Sequence, residues 1–305
     1  MPDISDISPP KQPPIGKPLA GSGWMILTGV LFVCVTAVVK HGAQDLPAPQ
    51  SAFMRYAIGL VFVLPMLKSA RDAHLSNRQL KLFCIRGVAH SFGVMVWFYA
   101  MTRITIAEVT AMNYMTPVYV TLGAALFLGE RVALRRLIAV LIAFVGALIV
   151  LRPGVREISD GHLAMVAAAL VFSVSYLTAK LMSDEVPASV VVGMLSLTVT
   201  IGIAPFAFAV WQPPSMAEVG WMALTAVLAT AGHYSMTLAF ACAPVSVTQP
   251  VTFLQLIWSV VVGVWLFSEP IDGWVIFGGL VIIASTTFIA IRETMLRRAA
   301  DASKY

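Results

Sequence analysis

The residues of this chain that could do chemistry are few, and most stand inside long apolar runs. His90, Trp97 and Tyr99 share one run, and Glu108, Asn113, Tyr114 and Thr116 the next. Ser173, Ser175 and Tyr176 follow, then His233 and Tyr234, then Gln249, Gln255 and Trp258. Covalent catalysis needs a nucleophile beside a base, clustered carboxylates, or metal ligands at fixed spacing. His90, His162 and His233 are scattered, with no HExxH and no GxSxG, and no aspartate lies inside an apolar run. An enzyme is therefore not expected. Cys34, Cys84 and Cys242 are single, without a CxxC pair, and read as small buried hydrophobes. No disulfide, metal site or cofactor is expected. What remains is recognition: amides, hydroxyls and imidazoles to hydrogen-bond, and aromatic faces to stack. That set suits reversible capture of a flat or zwitterionic metabolite.

The elements that must position these groups are set by composition. Hydrophobic residues make up 59% of the 305 and charged residues 11%, with mean hydropathy +0.86. Soluble domains carry about 25% charged residues, so the solvent for this surface is lipid. Apolar runs fall at about 20–39, 50–67, 82–102, 105–128, 134–151, 161–181, 188–210, 217–240, 244–268 and 273–291. Each approaches the roughly 17–25 residues of a spanning helix. A β-barrel would need shorter segments of alternating polarity. The chain is expected to be an all-α integral membrane protein with ten transmembrane helices.

The net charge of +5 does not point to nucleic acid, because the basic residues sit at the ends of the runs. With the N-terminus inside, fourteen of the 20 Lys and Arg fall in cytoplasmic segments. Four, Lys40, Arg103, Arg152 and Arg156, fall outside, and Arg55 and Arg86 lie within runs. Both termini are then cytoplasmic, in a bacterial-type inner membrane. Residues 1–19, with six prolines and no apolar core, read as a disordered cytoplasmic tail, and 293–305 as a basic one.

Two runs share a design. The stretch 107–131 is broken by Pro117 and closes on Gly129-Glu130-Arg131; the stretch 246–270 contains Pro250 and has its terminal glutamate at Glu269. Lys40 aligns with Lys180 and Pro47 with Pro187; at an offset of 139, Gly93 meets Gly232 and Glu130 meets Glu269. Residues 20–152 and 161–292 are therefore read as two five-helix repeats. Five is odd, so the second is inverted relative to the first, around a central cavity. A channel would show rings of charge or a repeated filter instead.

Several stretches resemble the drug/metabolite transporter superfamily, in particular its ten-span EamA-type members. They are RYAIGLVFVLP, FYAM, TPVYVTLGAALFLGERV and LIAVLIAFVGALIVLRP in the first half, and LAFACAPVSVTQPVTFLQLIWSVVVGVWLFSEP in the second. The resemblance covers residues 20–292. It implies an inverted-repeat bundle and solute transport by alternating access. Partners would be a small-molecule solute and the lipid bilayer, in a monomer or homodimer. Export of amino acids or related metabolites is the first expectation. Uptake of a larger nutrient with a flat ring, such as riboflavin or S-adenosylmethionine, is the alternative.

Substrate contact is expected from Asn113, Tyr114 and Thr116 at the first break and from Gln249, Gln255 and Trp258 near the second. Tyr99, Tyr176 and His233 complete the set. Asn113 and Gln255 have a second reading as interhelical hydrogen-bond partners, and Tyr99, Tyr176 and the tryptophans as interfacial belts. Arg55 either snorkels or holds an anionic group of the solute; Arg86 is expected to snorkel. Glu108 and His90 are the candidate proton-coupling groups, with Glu108 expected beside Arg103. Glu130 and Glu269 are read as structural, each complementing the first turn of the helix that follows it. Without a nucleotide-binding motif, exchange or facilitated diffusion is preferred over proton coupling.

The charge bias generates a test. Single cysteines at Ser159 and Ser303, in a background lacking Cys34, Cys84 and Cys242, should react oppositely with an impermeant maleimide on intact cells. Equal labelling would refute the inverted arrangement.

Overall fold

The computed structural model describes residues 18–73, 75–127, 134–155, 157–182, 185–242, 251–252 and 254–302. Eleven α-helices lie among them. They are α1 (Pro18–Gly42), α2 (Ala48–Asp72), α3 (Asn77–Met101), α4 (Ile106–Asn113), α5 (Thr116–Phe127) and α6 (Leu134–Leu151). The second half holds α7 (Asp160–Met182), α8 (Ala188–Ala209), α9 (Met216–Cys242), α10 (Leu254–Phe267) and α11 (Gly273–Ala302). Nine of the ten apolar runs give one helix each, and the fourth gives two, α4 and α5. Leu19–Gly42, Asn77–Met101, Asp160–Ala179 and Ser189–Ala209 are long and apolar enough to cross a bilayer. Ala48–Leu64, Leu137–Leu151, Leu254–Phe267 and Gly273–Phe288 are shorter apolar stretches of α2, α6, α10 and α11.

Local sequence starts these helices. A helix leaves its first N–H groups without partners, and a capping box satisfies two of them. Ser76 and Gln79 form one at α3, and Thr105 and Glu108 form one at α4. At α9, the Ser215 amide donates to Glu218 Oε2 at 2.6 Å and the Glu218 amide to Ser215 Oγ at 3.2 Å. At α7 a histidine takes the third position: the Ser159 amide donates to His162 Nδ1 at 3.2 Å. Asp272 accepts from the Trp274 amide at 2.9 Å and opens α11.

The main helix pairs join one half of the chain to the other. α1 packs on α9, α3 on α7, α2 on α8 and α6 on α11. Lipid offers no hydrophobic drive between helices, so such pairs depend on close packing and polar links. Thr28 and Ser235 share a 2.9 Å hydrogen bond between α1 and α9. Gln50, fully buried at the start of α2, donates to the Gln212 carbonyl at 2.7 Å and accepts from its amide at 2.9 Å. Ser285 of α11 donates to the Ala139 carbonyl of α6. The same pair meets backbone to backbone. A Cβ on Gly146 would lie 2.8 Å from the Gly278 carbonyl oxygen, and one on Gly278 would lie 2.6 Å from that of Gly146.

Among the described residues, the ion pairs collect at the two ends of the bundle. One end holds Lys40–Glu269, Arg152–Asp272 and Glu108–His162. The other holds Arg78–Glu185 at 2.5 Å. Hydrogen bonds from Arg78 and Gln79 hold the Glu185 carboxyl below its ordinary range, although a pair so exposed adds little stability.

The glycine contact predicts a stability effect. Gly146→Val and Gly278→Val should each lower unfolding free energy by about 1–3 kcal/mol, the usual cost of overpacking. Gly59→Ala, where a Cβ meets nothing within 4 Å, should be neutral or slightly stabilising. Detergent-solubilised protein titrated with a denaturing detergent would measure both.

Candidate functional site

The site begins where the fourth run breaks. α4 ends at Asn113, and α5 restarts at Thr116 with Pro117 in its first turn. Proline is tolerated there because that N–H has no intrahelical partner to lose. The Met115 amide closes the turn on the Met112 carbonyl at 3.0 Å. On the other side, residues 251–252 form a short 3₁₀ turn before α10 starts at Leu254. The two starts are 138 residues apart, within one of the repeat offset, although Pro117 and Pro250 are not in register. The breaks also touch: Tyr114 donates its hydroxyl to the Thr252 carbonyl at 3.0 Å. That bond occupies a carbonyl released where the helix starts late.

A polar aromatic cluster shares the packed core that Tyr114 borders. His90, midway along α3, contacts Ser175 Oγ through Nδ1 and the Tyr56 hydroxyl through Nε2, each at 3.1 Å. Its ring centroid is 4.9 Å from that of Phe172, which also meets the edge of Trp97 at 6.2 Å. Trp97, Phe172 and Tyr114 belong to one packed core. From α9, His233 stands edge-on to Phe32 of α1 at 5.1 Å. Arg55 lies over the Tyr56 ring at 3.9 Å. Arg86, Arg55 and His233 all lie within electrostatic reach of His90, and Tyr176 lies within reach of Tyr56 and Arg86. Arg86, His90 and Trp97 fall within about 40° of one another around α3, a single stripe about 16 Å long.

Several donors here are unused. Arg86 Nε, Trp97 Nε1 and Thr116 Oγ1 are buried without a hydrogen-bond partner. Asn113 and Gln255 are half-buried, and neither side-chain amide bonds another described residue. The interhelical-bridge reading of those two amides has no bond behind it here.

Other expected site residues are placed elsewhere. Tyr99 stacks under the Arg103 guanidinium at 3.5 Å, at the Lys40 end. It lines a cavity of about 200 Å³ there with Gln44, Ser51 and Thr102. Trp258 shares an exposed face of α10 with Leu254, Val261 and Trp265, opposite the buried Leu256, Ser259 and Gly263. It does not join the cluster. Glu108 is not beside Arg103: one carboxylate oxygen accepts from the Thr105 amide at 2.9 Å and the other meets His162 Nε2 at 3.2 Å. Glu269 does not serve the helix that follows it, which Asp272 caps. Its carboxylate accepts from the Ile106 amide at 3.0 Å, at the start of α4, and pairs with Lys40 Nζ at 2.6 Å. Ser268 takes a left-handed φ of 53° to turn it there. Gln249 and Glu130 lie outside the described residues.

Sequence reasoning passed over Phe32, Tyr56, Phe172 and the partner role of His162. A signal for the last existed, because Thr105-x-x-Glu108 and Ser159-x-x-His162 mark helix starts at the same end.

Comparison with known proteins adds to this geometry. The model of the EamA-like transporter family matches residues 19–152 and again 159–291. The chain is 30% identical to the riboflavin transporter of Vibrio cholerae, over 92% of this chain and 96% of that protein. It is 25% identical to the S-adenosylmethionine uptake transporter of Rickettsia conorii, over 90% and 94%. It is 26% identical to the pseudopaline exporter of Pseudomonas aeruginosa, over 88% and 94%. A protein crystal structure matches with a TM-score of 0.59 at 17% identity, over 91% of this chain and 97% of that one; this likeness concerns the fold alone.

The caps and the free amides separate two kinds of residue. Thr105→Ala should destabilise by about 1 kcal/mol, the usual value of a lost cap, and Glu108→Ala by about 1–3 kcal/mol, because it also removes the buried acceptor facing His162 Nε2. Asn113→Leu and Gln255→Leu should leave the melting temperature nearly unchanged. A thermal-unfolding series on the purified variants checks both expectations, and a collapse of Asn113→Leu would restore its bridging role.

Proposed function

The chain belongs to the EamA-like transporter family, and from that premise we propose that it carries a flat-ringed metabolite across the bacterial inner membrane by alternating access. Ten crossings in two inverted halves, with both termini cytoplasmic, complete the reading. Its support is the reciprocity of the packing. α1 lies on α9, the third helix of the other half, while α3 lies on α7, the first. α2 and α6 each lie on their own counterparts. A two-fold relation between halves, with its axis in the membrane plane, accounts for all four pairs.

The observation that carries the substrate class is the aromatic cluster of Tyr56, His90, Trp97, Phe172, Tyr176 and His233. Aromatic faces with a few fixed polar groups suit a heteroaromatic ring. Relatives named for riboflavin and S-adenosylmethionine support the same class. Uptake of such a nutrient is therefore placed ahead of amino-acid export. Export keeps a second place, since another relative is named as a pseudopaline exporter.

In this reading the Lys40 end is the one held shut. Lys40 of α1, Glu269 after α10 and the first amide of α4 meet in one knot, which opening at that end must break. Exchange or facilitated diffusion fits better than proton coupling. Glu108 is engaged as a cap and with His162, and both His90 nitrogens are engaged with hydroxyls.

Proteoliposomes loaded with a pH-sensitive dye test the reading. Radiolabelled riboflavin should accumulate above protein-free vesicles, insensitive to pH gradient and voltage. Lys40→Met should change the transport rate several-fold. Transport of amino acids but not riboflavin would move export to first place. Substrate-dependent acidification lost in His90→Gln or Glu108→Gln would establish proton coupling.

A further inference from the structure

We propose that the site prefers a solute carrying an oxyanion, a carboxylate or phosphate, held by Arg86 and Arg55 within the aromatic cluster; this rests on the transport reading above, whose riboflavin probe is then a weaker, neutral ligand. Arg86 is only 7% exposed. It is not snorkelling to water: Nη1 donates to the Val191 carbonyl at 3.1 Å, and Nε has no partner. The cation–π contact of Arg55 with Tyr56 is an attraction but not a counter-charge.

Neither arginine forms an ion pair with a described residue; the pairs present lie at the bundle ends. All fifteen Asp and Glu fall outside the central stretches of the apolar runs. The nearest titratable neighbours of Arg86 and Arg55 are the phenols of Tyr56 and Tyr176 and the imidazoles of His90 and His233. None of these is an anion at neutral pH. A buried guanidinium without a counter-ion is costly, and inside a membrane it marks a ligand path. Guanidinium donors match the fork of a carboxylate or phosphate.

The stripe on α3 also gives the solute an orientation. Arg86 is at one end, His90 about 6 Å further along, and Trp97 about 16 Å along. An oxyanion at Arg86 therefore leaves its ring against His90, Phe172 and Trp97. The unused indole N–H of Trp97 then faces ring acceptors, such as carbonyl or ring-nitrogen atoms.

Two probe pairs test this on the purified full chain: riboflavin against its phosphate ester flavin mononucleotide, and nicotinamide against nicotinate. Within at least one pair the anionic member should bind about tenfold or more tightly. Arg86→Gln should bring that ratio towards one and Arg86→Lys should recover part of it. The empty Arg86→Gln protein should melt no lower than wild type, because an uncompensated charge has been removed. Preference in the nicotinate pair alone would sink the flavin reading and keep the anion. Preference in the flavin pair alone would identify phosphate as the anion. Equal affinity within both pairs, or a preference that survives in both Arg86→Gln and Arg55→Gln, would overturn the proposal. So would a lower melting temperature of Arg86→Gln combined with no arginine-dependent stabilisation by inorganic phosphate or citrate.

Discussion

An unpaired backbone amide or carbonyl in hydrocarbon costs several kcal/mol, and the two interruptions of this bundle are arranged around that cost. The first break closes its own turn through Met115 and Met112, and Tyr114 then reaches across to the Thr252 carbonyl of the second. Thr116 Oγ1, beside the first break, is buried without a partner, and Asn113 and Gln255 are half-buried near the two helix starts.

The bundle ends show the opposite treatment of charge. At the Lys40 end every described carboxylate inside the packing is engaged. Glu108 holds its own helix start and His162. Glu269 holds the start of α4 and Lys40. Using one carboxylate both as ion-pair partner and as a borrowed cap ties α1, α4 and the turn after α10 together. The left-handed Ser268 shows that this alignment is favoured over a relaxed turn, since a non-glycine residue there costs about 1–2 kcal/mol. At the matching position in the first half the chain carries Gly129.

Much of the helix layout was legible, because ten long apolar runs admit little else. The break at Pro117 was legible too, since proline inside such a run must free a carbonyl. Function of single residues was less so. Glu108 is a coupling candidate because it is a carboxylate in an apolar run; its register with Thr105, three residues before it, also marks it as a cap. Trp258 sits one and two residues from the buried Ser259 and Leu256, and its direction depends on which neighbours α10 meets. The placement of Arg86 depends on the carbonyl of Val191, 105 residues away, which periodicity cannot reveal.

The reciprocal packing of α1 on α9 and α3 on α7 has a consequence for biogenesis. When the first five runs have left the ribosome, the helices they must pack on have not yet been made. The first half therefore waits in the bilayer with its main contact faces against lipid or one another. Its assembly resembles association of two subunits more than folding of one domain. A gene cut between residues 152 and 160 should then still yield a working assembly from two separate polypeptides, and a single five-helix ancestor paired head to tail would have met the same contacts.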